Sequence, residues 1–321
     1  MKATAVAHPI QGLIKYHGLK NARLRIPFHD SISVCVDALQ TTTTVEATNS
    51  LKEDLVMING KKAVGTDLER VEVVLNKLKN MTYYSRHFKV VSQNSITNGK
   101  GLGFSASGFV ALGTAACAAL DFDIDYISLS ELVRLGAGSA TRSLAGSFAI
   151  WYANKNGKSY AEQIVKPETV DLAMVIAPIP SSIRTDEAHS EVLSSPLFKA
   201  RLKYVAKIIK TMEKSIKTGD IASIGKLAEE DSLSLHATTM TGKAHMVLWE
   251  PETVRIIKEV QKMRREGILA WYSMDTGPSV FVNTSTEYVE KVAGRLHRLG
   301  FSSIITSKVG GKPFLSSKHL F

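Results

Sequence analysis

Two small-residue segments, far apart in the chain, each carry one strongly charged side chain. Asp275 lies in the segment Ser273–Ser279 (SMDTGPS), and Arg142 lies in the segment Gly138–Leu144 (GSATRSL). A carboxylate between small residues can approach a substrate hydroxyl, and an arginine in such a bend can hold a carboxylate or phosphate through two parallel hydrogen bonds. Asp275 also suits an ordinary turn, and Arg142 also suits a helix cap or a surface ion pair. The pair predicts chemistry on a small polyanionic substrate.

A glycine-rich loop between a predicted strand and a predicted helix adds an anion site. The segment Gly101–Phe109 follows a short strand at Lys89–Ser92 and leads into a small-residue helix over Ser107–Leu120. The N-terminus of such a helix binds anions through its free N–H groups and its dipole. Ser105 is positioned to hold a phosphate, and an N-cap for the same helix is its alternative role.

The elements around these residues predict an α+β protein of two lobes, residues 1–168 and 169–321. Arg70 lies on a helix predicted over Asp67–Asn80, outside its apolar stripe. The composition shifts near residues 154–166, and the apolar strand Val170–Ala177 begins the second lobe. Other predicted elements are strands at 2–7, 31–47, 147–152, 270–273, 280–282 and 303–306, a hairpin at 55–64, helices at 130–135, 197–217, 220–235, 253–265 and 286–299, and a loop from 178 to 186.

Composition and charge indicate which kinds of binding partner and which cellular location to expect. The chain of 321 residues has 40 Lys and Arg against 30 Asp and Glu, a formal net charge of +10. These cations are spread along amphipathic helices, which is typical of solvated faces, so we expect no nucleic-acid partner. A run of roughly eighteen apolar residues and a signal-peptide pattern are both absent, so we expect a cytoplasmic protein without a membrane span. Cys35 and Cys117 are too few for a disulfide framework and are expected to be buried thiols.

Four segments resemble, in the right order, the mevalonate diphosphate decarboxylases, a branch of the GHMP kinase superfamily. Ile14–Asn21 (IKYHGLKN) is similar to that family's L-K-Y-W-G-K-R-D, and Leu24–Val34 (LRIPFHDSISV) to its L-N-L-P-x-N-S-S-I-S-V. Gly101–Phe109 (GLGFSASGF) resembles its phosphate loop G-L-A-S-S-A-A-G-F, and Leu235–Thr238 (LHAT) its F-H-A-T. The resemblance implies a GHMP-kinase-like fold, with a ribosomal-protein-like N-terminal α/β lobe, a ferredoxin-like C-terminal lobe and an active site between them.

The same resemblance assigns roles to individual residues. Asp275 matches the family's catalytic carboxylate, which acts near the C3 oxygen of the substrate, and Arg142 matches the arginine that contacts the substrate carboxylate. Ser139 is the companion hydroxyl of that arginine, and Lys15 matches a catalytic, phosphate-binding position. The other substrate-binding residues that the resemblance implies are Tyr16, Arg70 and Ser105.

Several departures from the family pattern fall in the part that handles ATP. Thr97 stands where the phosphate loop opens with proline, and Phe104 stands at the first of its two serines. Leu19 replaces the second lysine of the N-terminal signature, and His17 replaces its tryptophan. We therefore predict an ATP-independent decarboxylase, which resembles the archaeal bisphosphomevalonate decarboxylases and converts mevalonate 3,5-bisphosphate to isopentenyl phosphate. The alternative is an ATP-dependent decarboxylase of mevalonate 5-phosphate or 5-diphosphate, with Ser105 and Ser107 restoring the loop.

The remaining expectations concern ligands and assembly. We expect no cofactor. We also expect no metal, because His17 and His236 have no second histidine at ligand spacing. The pocket that would hold the nucleotide in the family has Phe104 and Ile10 on its wall here. We expect this former nucleotide pocket to be apolar and to accept a lipid-like ligand. A homodimer is expected. A 3-kinase-like enzyme and a non-enzymatic ligand sensor on the same scaffold are the further alternatives, and turnover of a mevalonate phosphate would exclude the sensor.

Overall fold

Mixed sheets backed by helices organise the computed structural model, which describes residues 1–97, 101–181 and 185–321. Within these residues, no helix is long and apolar enough to span a bilayer. The helices are α1 (Gly65–Thr82), α2 (Phe104–Ala119), α3 (Tyr126–Gly136), α4 (Ala140–Ala145), α5 (Thr185–Glu191), α6 (Phe198–Thr218), α7 (Ile221–Met240), α8 (Pro251–Arg265) and α9 (Val289–Arg298). The strands are β1 (Lys2–Ala7), β2 (Ile10–Ile14), β3 (Leu19–Asn21), β4 (Ile26–Pro27), β5 (Ser31–Cys35), β6 (Thr41–Thr48), β7 (Leu55–Ile58), β8 (Lys61–Lys62), β9 (His87–Asn94), β10 (Phe148–Trp151), β11 (Ala161–Val165), β12 (Ala173–Ala177), β13 (Trp271–Ser273), β14 (Val280–Thr284), β15 (Ile305–Ser307) and β16 (Phe314–Ser316).

The first sheet has the strand order β16-β1-β6-β9-β7-β8, with β7 parallel to β9 and the other neighbours antiparallel. Helix α2 packs against β1 and β6 because its alanines and glycines let the two backbones approach closely. Helix α1 turns four residues with helical spacing into the same core, namely Val71, Val74, Leu75 and Leu78. The phosphate-loop helix is thereby fixed on a rigid layer.

Two four-stranded sheets follow, with orders β11-β10-β5-β2 and β13-β14-β12-β15. One buried apolar cluster contains residues of both sheets and of α6 and α7, among them Leu13, Val34, Met174, Val205 and Phe281. Helices α8 and α9 cover the other side of the second of these sheets. The end of β2 is therefore held by the cluster that the two sheets share and β13 by the cluster under α8 and α9, and both strands lead into the charged residues predicted from the sequence.

The sequence predicted most elements, with errors at helix starts and short segments. The helix expected to begin at Ser107 begins at Phe104, and the helix expected to end at Leu235 continues to Met240. The bend predicted around Arg142 is wrong, because Ala140–Ala145 is a short helix. Six residues are too few for an apolar period to be recognised, so only tertiary packing determines this turn of helix. The predicted loop from 178 to 186 includes residues 182–184, which lie outside the described residues.

Both cysteines are buried thiols without a disulfide, as predicted. Burial raises the pKa of Cys35 and of Cys117 to about 12. Neither thiol is therefore ionised near neutral pH, and both serve as small apolar groups in the core.

Candidate active site

A cleft of about 650 Å³ lies where β2, the glycine-rich loop, the start of α4 and the loop after β13 meet. Six of the seven residues predicted from the sequence line it: Lys15, Tyr16, Arg70, Ser105, Ser139 and Asp275. Arg142 is the exception, since it lies behind the wall formed by Tyr16 and does not line the cleft. The fold thus gathers residues from five separate segments around one cavity.

Asp275 lies two residues beyond β13 and is only 5% exposed. Its Oδ1 accepts a hydrogen bond from the backbone N–H of Gly12 at 3.1 Å, and Nζ of Lys15 lies 3.6 Å from the same oxygen. A Cβ at Gly12 would lie 2.7 Å from Oδ1, so any other residue here would displace the Asp275 carboxylate. The carboxylate is therefore held against β2 beside a buried ammonium group.

Lys15 follows β2 and is buried to 7% exposure. Burial lowers the pKa of Lys15, the Asp275 carboxylate partly reverses this shift, and the positive charge of Arg142 adds to the lowering. A neighbouring anion favours the charged form of such an amine. Lys15 and Asp275 therefore form a coupled pair at the wall of the cleft.

Arg142 is fully buried, and its three guanidinium nitrogens have no hydrogen-bond partner in the described part of the chain. Its Cζ lies 5.5 Å from the ring centre of Tyr16 and 5.8 Å from that of Trp151. Burial lowers the pKa of Arg142 to about 10, so the side chain remains a cation at neutral pH. A buried cation without acceptors is costly, and the geometry is that of a site prepared for an anion.

Tyr16 separates Arg142 from the cleft and is held by aromatic contacts. The centre of its ring lies 4.9 Å from that of Trp151 in an edge-on contact, and 4.7 Å from that of His189 in a stacked contact. Ser139 occupies the N-cap position of α4, yet its side chain makes no cap hydrogen bond. The Ser139 hydroxyl faces the cleft and can bind a ligand.

The glycine-rich loop presents the N-terminus of α2 to the cleft. Gly103 is the N-cap residue with φ 78°, and a Cβ there would lie 2.4 Å from the carbonyl oxygen of Ile10. The alternative role of Ser105 as N-cap is therefore wrong, since Ser105 lies inside the first turn and is exposed to the cleft. Ser107 points away, because its buried hydroxyl lies 2.7 Å from that of Thr41.

A second arginine, which the sequence did not single out, joins Arg70 on the cleft wall. The Nε of Arg70 donates to the carbonyl of Gly136 at 2.8 Å, and the Nε of Arg25 donates to the carbonyl of Leu135 at 3.1 Å. Both guanidinium groups are thus anchored at the C-terminus of α3 and line the cleft. Arg25 has φ 49° in the turn before β4, where no hydrophobic period marks it.

The sequence analysis also missed a buried ion pair behind Lys15. Arg201 on α6 and Asp231 on α7 lie 3.0 Å apart, and both side chains are almost completely buried. Asp231 accepts the backbone N–H of Lys15 at 2.8 Å, and Arg201 donates to the Lys15 carbonyl at 2.8 Å. A signal was present, because both residues occupy apolar-stripe positions of their helices, where a charge needs a partner.

Desolvation lowers the pKa of three histidines, namely the buried His17 and His236 and the half-buried His29. The pKa of His29 falls to about 4, that of His236 to about 3, and that of His17 well below its usual value. All three are therefore neutral at pH 7. No group of three or more His, Cys, Asp or Glu side chains within residues 1–97, 101–181 and 185–321 could hold a metal ion.

These histidines predict that the protein loses stability in acid. The unfolded chain binds protons below about pH 6.5, whereas folded His29 does so only near pH 4, so stability falls as the pH drops through this window. Each such histidine removes ~1.4 kcal/mol per pH unit from the free energy of unfolding. Urea unfolding between pH 7 and pH 4 measures the slope, and His29→Gln should reduce it. Replacing the exposed His245 by glutamine should leave it unchanged, and a flat profile for wild type would contradict the prediction.

Two domain families account for most of the chain. Residues 7–161 match the diphosphomevalonate decarboxylase-like N-terminal domain, and residues 183–314 match the mevalonate 5-diphosphate decarboxylase C-terminal domain. This chain belongs to the diphosphomevalonate decarboxylase family. It is 39% identical to the phosphomevalonate decarboxylase of Haloferax volcanii over 91% of each chain, and 27% identical to the diphosphomevalonate decarboxylase of Candida albicans over 100% of this chain and 99% of the other.

Solved structures of this family share the fold. The mevalonate diphosphate decarboxylase of Staphylococcus aureus superimposes with a TM-score of 0.93 at 27% identity over 98% of each chain. That of Enterococcus faecalis gives 0.91 at 30% identity over 99% of each chain. The predicted α+β, two-lobe GHMP kinase fold is confirmed, and the chain is a decarboxylase of the mevalonate pathway of isoprenoid biosynthesis. The division at residues 168 and 169 and the homodimer stay predictions.

Proposed function

We propose that this decarboxylase acts on mevalonate 3,5-bisphosphate without ATP, releasing isopentenyl phosphate, carbon dioxide and phosphate. The electron pair of the C1–C2 bond forms the C2–C3 double bond as carbon dioxide leaves. The electron pair of the C3–O bond departs with the 3-phosphate, which takes up a proton. No oxidant or nucleotide is needed for this step once C3 carries a phosphate.

The observation that carries the proposal is Phe104 at the first position of α2. Its side chain lines the cleft at the helix N-terminus, where the resembled family has a serine hydroxyl. A helix N-terminus favours an anion, but a large apolar ring beside it excludes water and offers no hydrogen bond to a nucleotide phosphate or its metal. Loss of the ATP-dependent step is the simplest consequence.

Leu19 supports the same conclusion. Where the family pattern has a lysine, Leu19 packs against a buried cluster that contains Tyr16, Ala145 and Trp151. A cation is thus absent at this position, and the Leu19 side chain contributes apolar contacts instead. By contrast, two cations on the substrate side of the cleft, Lys15 and Arg70, match the family pattern, and Arg25 adds a third where that pattern has asparagine.

The proposed roles follow from charge and position. Arg142 holds the C1 carboxylate after Tyr16 shifts, because its guanidinium has no other acceptor within the described residues. Asp275 stabilises positive charge that develops at C3 as phosphate departs, and Lys15 balances the charge of the leaving phosphate. Ser105 and Ser139 bind phosphate and carboxylate oxygens, and Arg70 holds the 5-phosphate.

The lipid-like ligand was expected in a pocket lined by Phe104 and Ile10, and both residues line the large cleft, which also carries charged side chains. A separate, mainly apolar cavity of about 170 Å³ lies beside Phe104, with Val56, Val90, Phe109 and Leu112 on its walls. Ligand pockets usually enclose about 300–1,000 Å³, so a small apolar group fits this cavity better than a long chain does. The lipid-like ligand stays a prediction.

Substrate turnover tests the proposal directly. Phosphate and carbon dioxide release is measured from mevalonate 3,5-bisphosphate without nucleotide, beside mevalonate 5-phosphate and 5-diphosphate with Mg-ATP. Turnover of the bisphosphate alone supports the proposal. Turnover that requires ATP would overturn it and establish the two-step reaction instead.

The ATP-dependent reaction is the second candidate because of two observations. The relative at 39% identity is a phosphomevalonate decarboxylase. A further cavity of about 510 Å³, lined by Asn59, Lys61, Lys62 and Thr97, adjoins the cleft and is polar enough for a nucleotide. ATP binding by calorimetry, with and without mevalonate 5-phosphate, distinguishes the two candidates.

Replacing Phe104 separates the two candidates within one protein. If the ring closes the former phosphate site, Phe104→Ser should leave nucleotide-free turnover of the bisphosphate near the wild-type value and create measurable ATP binding. Phe104→Leu keeps the apolar surface and should not bind ATP. Tight ATP binding by wild type, unchanged in Phe104→Ser, would contradict this expectation.

A further inference from the structure

Neighbouring residues of α7 hold the two backbone segments that carry Lys15 and Asp275. Asp231 accepts the N–H of Lys15, as described above. The next residue, Ser232, accepts the N–H of Met274 at 2.9 Å and donates to the carbonyl of Met274 at 3.2 Å. Met274 directly precedes Asp275 in the chain. One helix therefore fixes both ends of the charged pair through consecutive residues.

The two attachments are rigid for different reasons. Asp231 is 1% exposed and is held by Arg201, which also binds the carbonyl on the other side of Lys15. Ser232 is 3% exposed, and its one hydroxyl satisfies both the N–H and the carbonyl of Met274. Because both side chains are buried, these hydrogen bonds are strong and hold each peptide against α7. The 3.6 Å separation of Lys15 Nζ and Asp275 Oδ1 depends on both attachments.

We infer that Asp231 and Ser232 are positioning residues, which set the distance between Lys15 and Asp275 for the reaction. The inference rests on the proposed role of Asp275 and adds the device that controls its position. A displacement of about 1 Å in a reacting group can reduce turnover about 100-fold, so a small shift of either peptide is sufficient to matter. Ser232 itself is buried and does not line the cleft.

Ser232→Ala is the informative variant. It deletes both bonds to Met274 and leaves the Arg201–Asp231 ion pair in place, whereas Asp231→Ala would leave Arg201 as an unpaired buried charge and endanger folding. We expect kcat for the substrate that wild type turns over to fall by roughly 10- to 100-fold, with little change in KM. Ser232→Thr, which keeps the hydroxyl, should recover most of the lost kcat.

A double-mutant cycle distinguishes positioning from general damage. If Ser232 acts through Asp275, adding Ser232→Ala to Asp275→Asn should reduce kcat no further. Ser279→Ala is the matched control, since Ser279 is equally buried and makes the same pair of bonds, accepting the N–H of Ile179 and donating to its carbonyl. Ser279→Ala should lower the free energy of unfolding about as much as Ser232→Ala does. It should change kcat by the same factor whether it is introduced into the wild type or into Asp275→Asn.

Each outcome decides one question. Suppose that Asp275→Asn strongly reduces kcat and that kcat of the double variant falls by the product of the two single losses. This result would overturn the positioning role of Ser232 and leave the role of Asp275 intact. Wild-type kcat in Asp275→Asn would overturn both. A loss that matches that of Ser279→Ala and follows the melting temperature would also overturn the inference, because it would show a structural effect only.

Discussion

Arg142→Met should abolish turnover and at the same time raise the free energy of unfolding. The wild-type guanidinium is fully buried, and its nitrogens lack acceptors within the described residues. A methionine of similar length fills the space against Tyr16 and Trp151 without a buried charge, so we expect a gain of about 1–3 kcal/mol. The same change removes the group proposed to hold the substrate carboxylate, and kcat/KM should fall by about 10³-fold or more.

A second buried arginine provides the control. Arg134 is also buried, but its Nε donates to the carbonyl of Leu24 at 2.9 Å and its Nη1 contacts the carbonyl of Ser159. Arg134→Met should therefore destabilise the protein, because it leaves buried carbonyls without donors. Urea unfolding of the two variants beside wild type measures the contrast. Destabilisation by Arg142→Met would show that the free protein already satisfies this cation.

Asp275→Asn should reduce kcat by about 10²- to 10³-fold with a smaller change in KM. The amide keeps an oxygen for the Gly12 N–H, so the loop stays in place while the negative charge is lost. In the proposed reaction this charge stabilises C3 as phosphate departs. Asp275 also raises the pKa of Lys15, so the variant should lose its residual activity at a lower pH than wild type as the pH increases.

The pH–rate profile of Asp275→Asn contains its own test. Lys15 must be charged to balance the leaving phosphate, and removal of the neighbouring carboxylate makes its ammonium form less stable. The basic limb of the profile should therefore move to lower pH. Asp37→Asn removes an exposed carboxylate and should leave rate and profile unchanged. Activity of Asp275→Asn close to the wild-type value would refute the proposed role.

The lobes and most of the cleft residues could be predicted because they depend on local patterns and segment order. The apolar stripe of α1 gave both its helix and the position of Arg70 outside that stripe. The glycines before Phe104 gave the loop that presents α2, since only such residues permit the close approach of Gly103 to Ile10. Lys15 and Asp275 were identified by resemblance, and the structure brings them within 3.6 Å.

Long-range polar contacts could not be predicted in the same way. Arg201 and Asp231 read as members of amphipathic helices, and their pairing depends on how α6 and α7 pack. Gln11 donates to Ser273 at 2.7 Å and to Asn283 at 2.9 Å, and so links β2 to the second lobe. Neither partner is near in sequence, so no periodicity indicates the contact.

The pairing of β16 with β1 has a consequence for synthesis of the protein. Thr4, Ala5 and Val6 face Ser316, Leu315 and Phe314, so the outer neighbour of the first strand is made about three hundred residues later. During translation the edge of β1 therefore remains without this partner until nearly all of the two lobes has left the ribosome. An unpaired strand edge can pair with strands of other chains. We therefore expect the nascent N-terminal lobe to be prone to aggregation, and to need chaperones, until β16 has been synthesised.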